Sequence, residues 1–164
     1  SLTNALYEKD RILEVGSFDE SLGSEAEDAE LNYRLVRRGY KLLYVPESFV
    51  WHQMRSSPKL WLKNMFRYGK GRARLLKRYP KMWNFHFILP LLFLPAMACV
   101  FLTVFSRVFL IPGLYFPFIF CVSLYQSLRK KALSLLWRVM AVYMIQHFGY
   151  AAGEIFGLIH PGVK

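Results

Sequence analysis

The 164-residue chain is 54% hydrophobic and carries a formal net charge of +11, which excludes a single ordinary soluble domain. Residues 1–47 hold ten of the eleven acids and six of the 22 bases, whereas residues 48–164 hold sixteen bases and only one acid, Glu154. Such asymmetry indicates an anionic partner, either nucleic acid or a membrane. The long apolar runs beside the bases favour membrane lipids and argue against nucleic acid.

The N-terminal region, residues 1–56, is patterned as a small α/β unit. A capping box at Ser24 predicts a helix from about residue 25 to residue 38. Gly39 follows where a left-handed cap residue is expected. Residues 41–45 and 49–51 then predict two short strands. The fold class expected here is therefore an α/β fragment, followed by an α-helical membrane region. About 56 residues make a marginal core alone, and the chain lacks an initiator Met, so we expect a fragment of a longer protein.

The second region, residues 57–82, is strongly basic. Residues 59–81 contain nine bases and no acid, and seven of the bases recur every three or four residues on one helical face. Aromatic and aliphatic side chains lie largely on another face. This pattern predicts an amphipathic helix in a membrane interface, which Gly69 and Gly71 weaken in the middle.

The third region, residues 83–164, contains three apolar runs at 85–105, 108–125 and 139–159. The runs predict about three membrane-spanning helices. The positive-inside rule places residues 1–81 and 126–138 in the cytoplasm and the C-terminal tail outside. In the third run, glycines at every fourth position predict a packing face. Glu154 either extends its carboxylate to water or serves as a functional intramembrane acid.

Several short motifs resemble the closing part of family 2 glycosyltransferases of the GT-A fold. Their order and spacing match over residues 4–56, about a third of the chain. The basic stretch 68–73 and the apolar runs that follow resemble the exopolysaccharide-type members. The matching pieces are residues 4–7, 15–20, 27–31, 33–35, 39–40, 44–47 and His52.

The resemblance implies that the acid pair before the helix, Glu27 and Asp28, carries the catalytic base. Asp28 is the matching residue. An acceptor hydroxyl is a poor nucleophile, and a carboxylate within hydrogen-bond reach can take its proton during attack on the sugar. The alternative is that these acids only cap the helix and complement its dipole.

His52, which ends the second predicted strand, matches a candidate ligand for a divalent cation, Mg²⁺ or Mn²⁺, which would offset the diphosphate charge of the donor. The alternative is an ordinary surface histidine. Arg55 is either a phosphate contact or a solvated loop residue. Arg34 is expected to pair with Glu30 one turn earlier on the helix.

The basic helix has two interpretations. In the first, its bases hold the helix on anionic lipid. In the second, some of them bind the phosphate of a lipid-linked acceptor, and Arg67 and Lys70 are the candidates because Gly69 and Gly71 allow close approach. Both interpretations can hold together.

The resemblance thus implies a multi-pass membrane enzyme with a cytoplasmic catalytic part. It would transfer a sugar from a nucleotide-sugar donor to a lipid-linked or glycan acceptor. The family's nucleotide-binding first half is absent from this sequence, so the fragment alone is expected to be inactive. The rival hypothesis is a non-catalytic membrane anchor or scaffold that binds anionic lipid.

Overall fold

A computed structural model of the chain describes residues 4–53 and 57–160, without the side chains of residues 23 and 24. The described residues form helices linked by short turns, apart from a longer irregular segment between residues 38 and 53. The α-helices are α1 (Lys9–Glu14), α2 (Glu27–Arg37), α3 (Pro58–Arg78), α4 (Phe85–Cys99), α5 (Tyr115–Arg129) and α6 (Leu136–Ile159). Shorter 3-10 segments are Glu20–Glu25, Pro80–Met82, Val100–Val104, Arg107–Leu114 and Leu133–Leu135.

The predicted α/β fold of the N-terminal region is wrong for this chain, because the described residues contain no strand. The predicted strands at 41–45 and 49–51 are irregular and exposed. Leu43 is 84% exposed, and Trp51 is 95% exposed. A strand is held by backbone hydrogen bonds to a neighbouring strand. In the described part of the chain no other segment supplies that ladder, so the local preference for strand is not realised.

Helix α2 begins at Glu27, about two residues later than predicted. The preceding turn is taken by the 3-10 helix Glu20–Glu25, which Asp19 caps by accepting the Ser21 N–H at 2.9 Å. Beyond the end of α2, Gly39 has a φ of 97°, so the predicted left-handed cap is confirmed.

The basic region forms one continuous helix of 21 residues, α3. Ser57 caps it by accepting the Leu60 N–H, and Pro58 occupies the first turn. Its two glycines lie at close contacts. A Cβ on Gly69 would be 2.0 Å from the Tyr150 carbonyl oxygen, and one on Gly71 would be 2.5 Å from that of Glu25. Both glycines therefore serve packing within the chain.

Helices α3 and α6 pack side by side and run parallel. Gly149 contacts Leu62, Gly153 contacts Phe66, and Gly157 contacts Lys70, so the contacts advance together along both helices. The glycine repeat of α6 is thus a packing face, as predicted, and its partner is the basic helix.

Two segments, Phe85–Val104 and Arg107–Arg129, are long and apolar enough to cross a membrane. They coincide with the first two predicted spans, and they expose large apolar side chains such as Phe101 in the first segment and Phe118 in the second. Helix α6 does not meet the same criterion. At its end the His160 carbonyl accepts a hydrogen bond from the Lys77 ammonium at 2.9 Å. The predicted topology places Lys77 on the cytoplasmic side and the C-terminal tail outside, whereas this hydrogen bond holds Lys77 and His160 together.

Candidate functional site

The first turn of α2 carries three acids, and the structure separates their roles. Glu30 is fully buried and accepts bonds from the Arg34 guanidinium at 2.7 and 2.8 Å. The predicted pair of Arg34 with Glu30 is therefore confirmed. The Tyr79 hydroxyl also donates to Glu30, at 2.5 Å. Glu30 consequently joins α2 to the end of α3.

Arg34 extends this network to the N-terminal loop. It donates to the backbone carbonyl of Val15 and, at 2.5 Å, to that of Ser17. Its hydrogen bonds with Glu30 raise the pKa of the guanidinium above its ordinary value. Burial, together with the bond to Glu30, raises the pKa of Tyr79. Tyr79 therefore remains a neutral hydrogen-bond donor at physiological pH.

The predicted catalytic pair, Glu27 and Asp28, lies half-buried at the start of the same helix. Asp28 Oδ1 accepts the Ala29 N–H at 2.8 Å, and the helix dipole favours a carboxylate at this end. One turn further along the same face, Asn32 accepts a bond from the Tyr7 hydroxyl at 3.0 Å. This contact brings segment 4–7, part of the family-like pattern, to the side of α2 that carries Asp28.

His52 is exposed and lies in the irregular segment that follows the second predicted strand. Among the described residues, no group of three or more His, Cys, Asp or Glu side chains is positioned to hold a metal ion. Hard divalent cations take six or more oxygen ligands, several of them carboxylates. The donors among the described residues do not fit such a site.

The other predicted contacts with phosphate fall in three different places. Arg55 lies outside the described residues. Arg67 is half-buried on α3. Lys70 pairs with Glu25 at 3.2 Å, and Arg74 pairs with the same carboxylate at 2.8 Å. Phosphate binding by Arg67 and Lys70 stays a prediction, but Lys70 already has an anionic partner within the chain.

A row of bases on α3 therefore docks on the acidic N-terminal region. Arg78 continues the row by pairing with Asp19. Beside these pairs, Leu22, Ala26 and Leu75 form a small buried core. The predicted interfacial helix places its bases on one lipid-facing surface. In the structure Lys70, Arg74 and Arg78 instead pair with acids of the N-terminal region.

A basic cavity that the sequence did not reveal lies between α2 and the end of α3. It has a volume of about 640 Å³. Nothing in the sequence links Arg37 and Arg38, at the end of α2, to residues 78–81. The cavity is lined by Glu14, Val15, Tyr33, Arg34, Arg37, Arg38, Arg78, Tyr79, Pro80 and Lys81.

Two characterised proteins resemble parts of the chain. A pre-mycofactocin glycosyltransferase of Mycobacterium tuberculosis is 38% identical over 69 residues, which are 42% of this chain and 14% of that protein. The succinoglycan biosynthesis protein ExoA of Rhizobium meliloti is 34% identical over 94 residues, which are 56% of this chain and 28% of that protein. The aligned part of the chain thus spans less than a third of either relative. No solved structure matches it.

The match to a family is more extensive than the match to either relative. The sequence profile described as glycosyl transferase family group 2 covers residues 1–160, which include the acid pair, the basic helix and the apolar segments. This range takes in every element of the site described above. The chain belongs to glycosyl transferase family group 2.

Proposed function

We propose that the protein containing this chain transfers a sugar from a nucleotide-sugar donor to a lipid-linked or glycan acceptor, in polysaccharide or glycolipid synthesis. One observation carries the proposal within a chain of this family. Asp28, the acid that matches the family's catalytic base, lies half-buried in the first turn of α2, and the buried network of Glu30 holds that helix in place.

Asp28 is proposed as the general base. As the acceptor oxygen attacks the anomeric carbon, the bond from that carbon to the nucleotide's diphosphate breaks, and the acceptor proton passes to the Asp28 carboxylate. The network of Glu30 with Arg34 and Tyr79 fixes the helix that presents this carboxylate. Such fixing matters because a small misplacement of a catalytic group can cost a large factor in rate.

We also propose that the catalytic part lies at the cytoplasmic face of a membrane. Two apolar segments with exposed side chains support the membrane placement. The bases of α3 support the orientation, because basic residues concentrate on the cytoplasmic side. A divalent cation, Mg²⁺ or Mn²⁺, remains a proposal for the complete enzyme, whose further residues would have to supply its ligands.

The test is Asp28→Asn in the full-length enzyme, with turnover measured by transfer of radiolabelled sugar. Loss of the base should reduce turnover by at least about 10²-fold, the low end of general-base catalysis, while the protein stays folded with only a small loss of stability from the missing charge at the helix start. Glu20→Gln is the matched control, since Glu20 is an exposed acid one helix earlier. Near-normal transfer by Asp28→Asn would remove Asp28 from the mechanism and favour a scaffold role for this region.

A further inference from the structure

We propose that the basic cavity between α2 and the end of α3 binds the phosphate monoester headgroup of a membrane lipid. The cavity is separate from the proposed base. Arg37 follows Asp28 by nine residues, which is roughly 14 Å along a helix that rises 1.5 Å per residue. A phosphate bound there would not be at the reacting carbon.

The charges around the cavity leave an excess of two positive charges. Five cations line it, and three carboxylates neutralise three of them. Arg34 is held by Glu30, Arg78 by Asp19, and Arg38 by Glu14 at 3.1 Å. No carboxylate in the described part of the chain pairs with Arg37 or Lys81, the remaining two cations. Two unneutralised cations match the charge of a phosphate monoester, which approaches −2 near neutral pH.

The shape of the wall also suits a phosphate. The rings of Tyr33 and Tyr79 contact each other with their centroids 4.7 Å apart and form one side of the cavity. The Arg37 guanidinium lies over the Tyr33 ring, 6.0 Å from its centroid. A guanidinium kept near an aromatic face loses less freedom when it binds, and its planar donors match two phosphate oxygens.

The position of the cavity points to a lipid as the source of the phosphate. Lys81 precedes by four residues the start of the first apolar segment, at Phe85. Between them Trp83 is partly exposed, as aromatic residues are at membrane interfaces. A headgroup in the cavity could therefore leave its acyl chains beside α4. The inference rests on the proposed membrane placement and is independent of the proposed sugar transfer.

The experiment uses the full-length protein in detergent and isothermal titration calorimetry. The probes are dihexanoyl phosphatidic acid, a monoester, dihexanoyl phosphatidylglycerol, a diester, and inorganic phosphate. The variants are Arg37→Gln, Lys81→Gln and their combination. Lys59→Gln is the matched control, because it removes an exposed base at the far end of α3.

We expect the monoester lipid to bind more tightly than the diester, and each single variant to weaken its binding about 5–10-fold, as loss of a charged hydrogen bond does. The double variant should lose more affinity for the monoester lipid than either single variant. Lys59→Gln should bind that lipid as tightly as the unaltered protein does. Unchanged affinity in the double variant would overturn the site. If inorganic phosphate bound as tightly as the lipid, the cavity would be a phosphate site, and the proposal that a membrane lipid supplies the phosphate would be rejected.

A failure here is distinguishable from failure of the proposed function. Asp28→Asn should bind the monoester lipid normally, because Asp28 lies outside the cavity lining. Normal lipid binding with lost turnover in that variant supports both proposals. Lost turnover without lipid binding by the unaltered protein would leave the catalytic proposal intact and reject the lipid site.

Discussion

The two sides of α3 are built on different physical principles. Towards α6 the contact is dry and close, with Gly69 and Gly153 letting the two backbones meet. Towards the acidic N-terminal region the contact is ionic, with Lys70 and Arg74 on Glu25. The first contact is sensitive to side-chain volume and also buries the carboxylate of Glu154, whereas the second depends on ion pairs and should respond to salt.

The difference shows that one basic helix holds the chain together in two ways. Its small residues fix the position of α6, and its charges fix the position of the acidic region that includes α2, where Asp28 lies. Substitutions that act on one side and spare the other would separate these roles.

The largest expected effect is on the dry side. In Gly153→Ala the new Cβ would lie 2.0 Å from the Phe66 carbonyl oxygen, so α3 and α6 must move apart. We expect a loss of about 3 kcal/mol in the free energy of unfolding, the upper part of the range for overpacking. Thermal unfolding in detergent measures it. Gly113→Ala is the control, because its Cβ would meet only the Val100 side chain at 3.9 Å. Equal behaviour of the two variants would contradict the close packing.

On the ionic side the largest effect is expected for Glu30→Ala. The change leaves Arg34 and Tyr79 without their shared partner. Breaking a fully buried pair costs about 3–5 kcal/mol, and we expect about 2 kcal/mol here because Arg34 is partly exposed and keeps its backbone acceptors.

Glu8→Ala serves as the control for that variant. Glu8 forms an i,i+3 pair with Arg11 in which both side chains are well exposed. Its loss should change the free energy of unfolding by less than about 0.5 kcal/mol. Chemical denaturation of both variants measures the contrast, and a Glu30→Ala protein as stable as Glu8→Ala would show that the network does not hold α2.

A smaller effect is expected for Glu25→Gln. Glu25 is 13% exposed and pairs with two bases, so its neutralisation should cost about 1 kcal/mol. The loss should shrink in high salt, because screening already weakens the ion pairs of the unaltered protein. Unfolding midpoints at low and high salt, with the exposed Glu20→Gln as reference, measure this. A loss that is independent of salt would assign the effect of Glu25 to packing.

Local features of the sequence predicted part of this arrangement. The α2 and α3 helices, the left-handed Gly39 and the pair of Glu30 with Arg34 all depend on neighbours within a turn or two, and the structure contains them. The strands were predicted from equally local preferences. They failed because a ladder needs a second strand that the described residues do not provide.

The contacts that organise the candidate site are distant in sequence. Glu25 meets Arg74 across 49 residues, and Glu30 meets Tyr79 across the same separation. The sequence did show an acidic N-terminal region followed by a basic helix, and that complementarity is what the ion pairs use. The pattern alone did not show which bases face the acids, so Lys70 could not be distinguished from the bases elsewhere on α3.

The smallest expected effect concerns pH and Asp19. Hydrogen bonds from Ser21 and the ion pair with Arg78 lower the pKa of the Asp19 carboxyl below its ordinary value. A carboxyl with a lowered pKa contributes stability that is fully present above its ordinary pKa, and that contribution is lost as pH falls through the lowered value. The unfolded chain then binds the proton more readily than the folded one. We therefore expect stability to fall on acidification below about pH 4.

Asp19→Asn tests this contribution, because the amide keeps an acceptor for Ser21 and removes the titrating charge. The variant should be slightly less stable at neutral pH and should show a shallower decline of the unfolding temperature between about pH 4 and pH 2. Asp10→Asn is the control, since it removes an exposed acid on α1. If Asp19→Asn kept the full slope, the acid sensitivity of the ionic side would have to come from other carboxylates, and Asp19 would be only a helix cap.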